Sequence, residues 1–181
     1  MRLIDPSELS NIDDDDEAAA RGFNAMMTLR SICVLVRAMD GSEEIMASLE
    51  DLLVPVVSLL LSKVEIDYME EVCELVAMLT FCERPLSPAV WQLYDLLVYA
   101  FTNGAFDYFK EMLPAFDNFI SKSEAFLSVP ARMQVLVEMI GNVLTNIHLG
   151  EEDRSSACTL IEAVFMNCRG HVDSVRFALG H

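Results

Sequence analysis

Basic residues are scarce in this chain: 12 Lys and Arg stand against 29 Asp and Glu in 181 residues, a formal charge of −17 at pH 7. With a sequence pI near 4.3, long-range electrostatics oppose nonspecific attraction to nucleic acid or to an anionic membrane and favour basic partners. Glycine and proline are few, seven and six, which excludes collagen-like and low-complexity chains. Long apolar runs are lacking as well. The longest, residues 52–61, is interrupted by Pro55 and Ser58 and is roughly half of the ~20 residues a spanning helix needs. Asp5 and the acids at 13–16 stand where a secretory leader would have basic and apolar regions. Neither membrane insertion nor secretion is expected.

Recognisable catalytic patterns are missing too. H-E-x-x-H, G-x-S-x-G and G-x-x-x-x-G-K-[ST] do not occur, so the zinc-protease, hydrolase and P-loop routes have no support. The three histidines, His148, His171 and His181, have no catalytic or ligand spacing. Cys33, Cys73, Cys82, Cys158 and Cys168 form an odd set without a C-x-x-C pair, each among apolar neighbours. Buried free thiols in a reducing cytosol or nucleus are therefore expected, with no disulfide or metal role. Glu70-Glu71 and Glu151-Glu152-Asp153 are close carboxylates. Acid–base chemistry needs a shielded cleft, and on a helix surface such pairs read as solvated faces. Neither an enzyme nor a cofactor is expected.

What the chain has is core material: 53% apolar residues, ten Phe and eleven Met, and a mean hydropathy of +0.34. These argue against disorder despite the charge, and the length suits one domain with a sizeable core. The apolar residues recur every three or four positions. Phe23, Met26, Leu29, Ile32, Cys33, Val36 and Met39 make one stripe, and Met69, Val72, Cys73, Val76 and Leu79 another. Met133, Leu136, Val137, Ile140, Leu144 and Ile147 make a third, and Leu160, Val164, Phe165 and Cys168 a fourth. This is the period of amphipathic helices, with no sustained period-2 rival.

Punctuation agrees. Gly41, Gly104, Gly150 and Gly170 follow periodic stretches, where a left-handed residue closes a helix. Ser42, Ser87-Pro88 and Pro130 read as helix starts. Pro55 and Pro114 predict kinks or breaks. The spacing predicts helices over 17–39, 43–61, 66–82, 88–103, 105–121, 131–148 and 152–169, with a truncated one from about 171 to 179. Every second helix starts some 40–50 residues after its counterpart, close to the ~40–47 of HEAT and armadillo repeats. An all-α, HEAT-repeat-like superhelical solenoid of stacked antiparallel hairpins is expected. A closed bundle would leave a similar pattern. Residues 1–16 read as an acidic, poorly ordered segment, and 17–181 as a repeat array whose ends look cut from something longer.

Two features are candidate binding elements. The densest charge is the run Asp13, Asp14, Asp15, Asp16 and Glu17. It lacks the glycine and distal glutamate of an EF-hand loop; it is either a solvated helix start or a contact for a Lys/Arg-rich partner. Trp91, Tyr94, Tyr99, Phe106, Tyr108 and Phe109 cluster at a helix junction. Most should be core, with Trp91, Tyr108 and Phe109 the candidates for an exposed docking groove. Arg21, Arg30 and Arg37 recur along one helix, as a basic strip or as partners of local carboxylates.

Asp14-Asp15-Asp16-Glu17-Ala18-Ala19-Ala20-Arg21-Gly22-Phe23-Asn24-Ala25-Met26 resembles a segment of the importin-7/importin-8 group of importin-β-type nuclear transport receptors. Ser87-Pro88-Ala89-Val90-Trp91-Gln92-Leu93 and Phe106-Asp107-Tyr108-Phe109-Lys110-Glu111-Met112-Leu113-Pro114 do so as well, and Cys168-Arg169-Gly170 fits the end of the same region. The resemblance implies a HEAT-repeat superhelix that carries cargo through nuclear pores, contacts Phe-Gly nucleoporins and releases cargo to the GTP-bound form of the small GTPase Ran. It implies basic cargo such as ribosomal proteins or histones, and shuttling between cytoplasm and nucleus. The family's Ran-binding repeats are not matched by these residues, so no Ran-contacting residue carries over, and an interior to C-terminal stretch is expected. An export receptor of the same superfamily and a stand-alone acidic scaffold or chaperone are the alternatives. A helical enzyme using His148 is a remoter one.

Overall fold

The computed structural model describes residues 6–39 and 43–168, with side chains over 20–39 and 44–168. The helix expected at 171–179 lies outside the described residues, as do Gly41, Ser42, Gly170, His171 and His181. Among the described residues there are eight α-helices and no strand: α1 (Pro6–Ala38), α2 (Glu43–Lys63), α3 (Met69–Thr80), α4 (Pro88–Thr102), α5 (Phe109–Ser121), α6 (Ser123–Leu127), α7 (Pro130–Thr145) and α8 (Glu151–Asn167).

These helices form two layers. In the first, α1 packs on α3, α3 on α5 and α5 on α8; in the second, α2 packs on α4 and α4 on α7. The second-layer helices start at 43, 88 and 130, and their first-layer successors at 69, 109 and 151, steps close to the HEAT period. The chain is therefore all-α, a HEAT-repeat-like stack of antiparallel hairpins, as the periodicity predicts. α5 shows why it holds together. Its Phe109, Met112, Ala115, Phe116, Phe119 and Ile120 recur on one face and are all fully buried, between α3 and α8. Tyr94 of α4 meets Phe116, Phe119 and Phe126 edge-on, at centroid distances of 5.6, 5.5 and 5.6 Å, the geometry ring quadrupoles favour.

The helix starts follow local chemistry. Ser87 Oγ accepts from the Val90 N–H at 3.2 Å with Pro88 next in line, and Pro130 opens α7. Two helix ends share one joint. At the end of α2, Val64 has φ 53° and the Glu65 N–H donates to the Leu60 carbonyl at 3.1 Å. Forty residues on, Gly104 has φ 129° and the Ala105 N–H donates to the Ala100 carbonyl at 2.9 Å. Each joint leads into a single 3-10 turn, Ile66–Tyr68 or Phe106–Tyr108, and then into α3 or α5. This is the left-handed closure expected of Gly104, found also at a valine.

Several expectations are corrected. Gly150 has φ −85° and starts α8 instead of closing α7; its N–H donates to Asp153 Oδ2 at 2.9 Å. Of the kink or break expected at Pro55 and Pro114, the break does not occur: α2 and α5 continue through them. α3 ends at Thr80, leaving Phe81 and Cys82 outside it, and the short α6 has no counterpart in the predicted elements. Cys33, Cys73 and Cys168 are buried free thiols, but Cys82 is half-buried and Cys158 exposed, because α8 turns Cys158 away from α5 and α7. By length and composition, residues 44–63 of α2 could cross a membrane, at a mean hydropathy of 1.8; apolar residues upstream of residue 52 extend the run. Here the helix packs on α3 and α4 and turns Glu50 inward, 2.5 Å from Arg84 Nη2.

Candidate functional site

Carboxylates gather at the N-terminal ends of the first-layer helices. Asp67 and Glu70 lead into α3, Asp107 and Glu111 into α5, and Glu151, Glu152 and Asp153 open α8. The positive end of each helix favours acids in its first turn, so stacked parallel helices put their acids along one edge. Tyr108 lies among four of them. Partial burial, and then Glu70, Asp67, Glu111 and Asp107, raise its hydroxyl above the ordinary phenol range. Cations answer some of these acids across helix boundaries. Arg30 Nε reaches Glu71 Oε1 at 2.5 Å and its Nη2 reaches Glu70 at 3.9 Å; Arg37 pairs with Glu74, and Lys110 Nζ with Glu152 Oε2 at 2.8 Å. Arg30 and Arg37 thus join α1 to α3 as partners of local carboxylates.

A groove opens between α1, the start of α2, α3 and α5, with a cavity volume of about 390 Å³. Val36, Met46, Ala77, Met78 and Pro114 form its apolar lining, and Phe81 stands at the end of α3. Arg37, Glu74, Asp117 and Asn118 supply the polar part. Asn118 Nδ2 donates to the Ala77 carbonyl at 2.9 Å and to Thr80 Oγ1 at 3.1 Å, which holds α5 against the last turn of α3. The lining suits the capture of an apolar side chain. It offers no nucleophile beside a base, and no group of metal-ligating side chains occurs among the described residues.

The aromatic residues singled out from the sequence go elsewhere. Phe109 is fully buried, 5.7 Å from Phe101, so its candidacy as a groove residue is corrected: it faces α4 in the core. Trp91 is half-buried, 5.2 Å from Phe119 and 4.0 Å beneath the Arg132 guanidinium. Tyr108 is half-buried among the carboxylates. None of the three lines the groove. Asp13, Asp14, Asp15, Asp16 and Glu17 fall on the backbone of α1, but their side chains lie outside the described residues. His148 is exposed in the α7–α8 connection, its N–H donating to Asn146 Oδ1. Sequence reading missed Phe81, Met78 and Asp117. One signal was present: Phe81 follows Leu79 by two positions and so breaks the three-and-four spacing of its stripe.

Comparison with known proteins gives a consistent set of relatives. Importin-8 of Mus musculus is 31% identical over 159 residues, 87% of this chain and 15% of its own length. The probable importin-7 homolog of Dictyostelium discoideum is 25% identical over 91% of the chain and 16% of its own length. The importin beta-like SAD2 homolog of Arabidopsis thaliana is 27% identical over 88% and 16%. No family model matches the chain, and no solved structure gives a significant match. The chain is similar to members of the importin-7/importin-8 group of importin-β-type proteins and spans about one-sixth of the length of these relatives.

Proposed function

We propose that the chain is part of a nuclear import receptor that binds basic protein cargo and carries it through nuclear pores under control of the Ran GTPase. The carboxylate edge, running over the starts of α3, α5 and α8 in a chain related to importins, is the observation that carries this reading. Cargo rich in lysine and arginine, of the ribosomal-protein or histone kind, is complementary to it. Phe-Gly nucleoporins and Ran are the other partners, Ran acting through repeats outside these residues. The work is binding and release, with nucleotide hydrolysis left to Ran, and the receptor shuttles between cytoplasm and nucleus.

The test uses the intact polypeptide containing this segment and an immobilised lysine-rich histone. Addition of Ran-GTP should release the receptor. A complex that forms only with Ran-GTP would indicate an exporter, and one indifferent to it an acidic chaperone. The chaperone reading draws on the −17 charge alone. An antibody against this segment separates the two further: a receptor gives a band several times larger than 20.3 kDa, a stand-alone chaperone a band at that mass.

A further inference from the structure

The groove between α1, α2, α3 and α5 has features that helix packing leaves unused. Phe81 is 67% exposed, although it directly follows the buried Thr80 and borders the cavity. Met46 and Met78 are half-buried in the same lining. Two unbranched thioethers beside an aromatic ring make an adaptable apolar seat. At about 390 Å³ the cavity is at the small end of ligand pockets, roughly 300–1,000 Å³. Its charge is acidic on balance. Glu74 is engaged by Arg37, whereas Asp117 is exposed beside the cavity and takes part in none of the ion pairs described above.

We propose that this groove anchors the basic partner, an inference that rests on the receptor reading above. An extended peptide seats one large apolar side chain against Met46, Met78 and Phe81, and a neighbouring lysine or arginine pairs with Asp117. Charge complementarity selects this occupant. A chain of net charge −17 attracts a cationic segment from a distance, while the buried apolar anchor supplies most of the holding energy and sets the register.

Fluorescence anisotropy on the intact polypeptide tests this with a synthetic peptide carrying one phenylalanine among lysines and serines. Two control peptides replace the phenylalanine by alanine or every lysine by serine. Phe81→Ala should weaken binding of the parent peptide about tenfold. Asp117→Asn should weaken it about threefold at low ionic strength and flatten its salt dependence. Both residues are exposed, so melting curves should not move, and each control peptide should bind worse than the parent. Variants that bind the parent peptide like wild type, while the wild type still binds a lysine-rich histone, would overturn the groove and leave the receptor reading standing. Wild type that binds neither histone nor peptide would remove both. A lysine-free peptide binding as well as the parent would make the occupant a neutral apolar chain and defeat the proposal.

Discussion

Glu50 on α2 and Arg84 before α4 are the least exposed ion pair described, their closest atoms 2.5 Å apart. Burial opposes ionisation of Glu50, but hydrogen bonds from Ser87 and Arg84, with the charge of Arg84, outweigh it and hold the carboxyl below its ordinary value of 4.5. A carboxylate whose pKa is lower folded than unfolded stabilises the fold above the unfolded value, and that contribution is lost as pH falls through the folded one. Below pH 4.5 the melting temperature of the wild type should therefore fall more steeply than that of Glu50→Gln, measured side by side. Arg84→Met strands the carboxylate and should cost about 2 kcal/mol in chemical denaturation at pH 7. Trp91→Ala removes a half-buried ring and should cost about 2 kcal/mol, less than the roughly 3–5 of a fully buried aromatic, or about 5 °C in Tm. An unmoved Tm would make Trp91 a surface residue. At this scale the sequence was only partly legible. Phe109, flanked by Tyr108 and Lys110, is fully buried, whereas Phe81, flanked by Thr80 and Cys82, is exposed; Phe81 lies just beyond the end of α3 at Thr80 and so outside its buried stripe.

Helices, by contrast, were legible nearly to their ends, because an apolar stripe three or four residues apart has one backbone that buries it; the exception is α1, expected from 17, which starts at Pro6, ahead of its apolar stripe. Missed were pieces of five residues or fewer, too short to show a repeated stripe: the 3-10 turns at 66–68 and 106–108, and α6. The joints depend on single residues. Gly104→Ala puts a side chain at φ 129° and should cost about 1–3 kcal/mol in backbone strain, although nothing crowds the new methyl group; equilibrium denaturation would show it. The outward stripe of α2, with Leu52, Val56 and Leu59 at 68, 45 and 53% exposure, is apolar where a surface helix is usually polar. Replacing Leu52 and Leu59 together by glutamate should leave Tm within about 2 °C and reduce self-association in light scattering at high protein concentration. Unchanged scattering would mean that this stripe is not what draws copies together.

Over the whole molecule the two layers are held differently. α1–α3 and α5–α8 are laced by ion pairs around Arg30, Arg37 and Lys110; only the carboxylate of Glu71, the partner of Arg30, is buried, and the exposed pairs of Arg37 and Lys110 are worth little and screened by salt, while both layers share one apolar core. Thermal stability should therefore change little between low and moderate salt, whereas histone binding should weaken steeply over the same range; calorimetry and binding isotherms in matched buffers check both. The stacked architecture was readable from the 40-residue recurrence, but the groove was not, since its lining is drawn from four helices over residues 36–118. The joint repeated at 64 and 104 reaches further. Both copies use the same bonding pattern and the same Asp-Tyr pair, so residues 65–104 are a cassette bounded by interchangeable ends. Excising or doubling them would hand the chain to the next helix in the same phase. Stack length could then change by a single in-frame recombination, with every surviving connection intact.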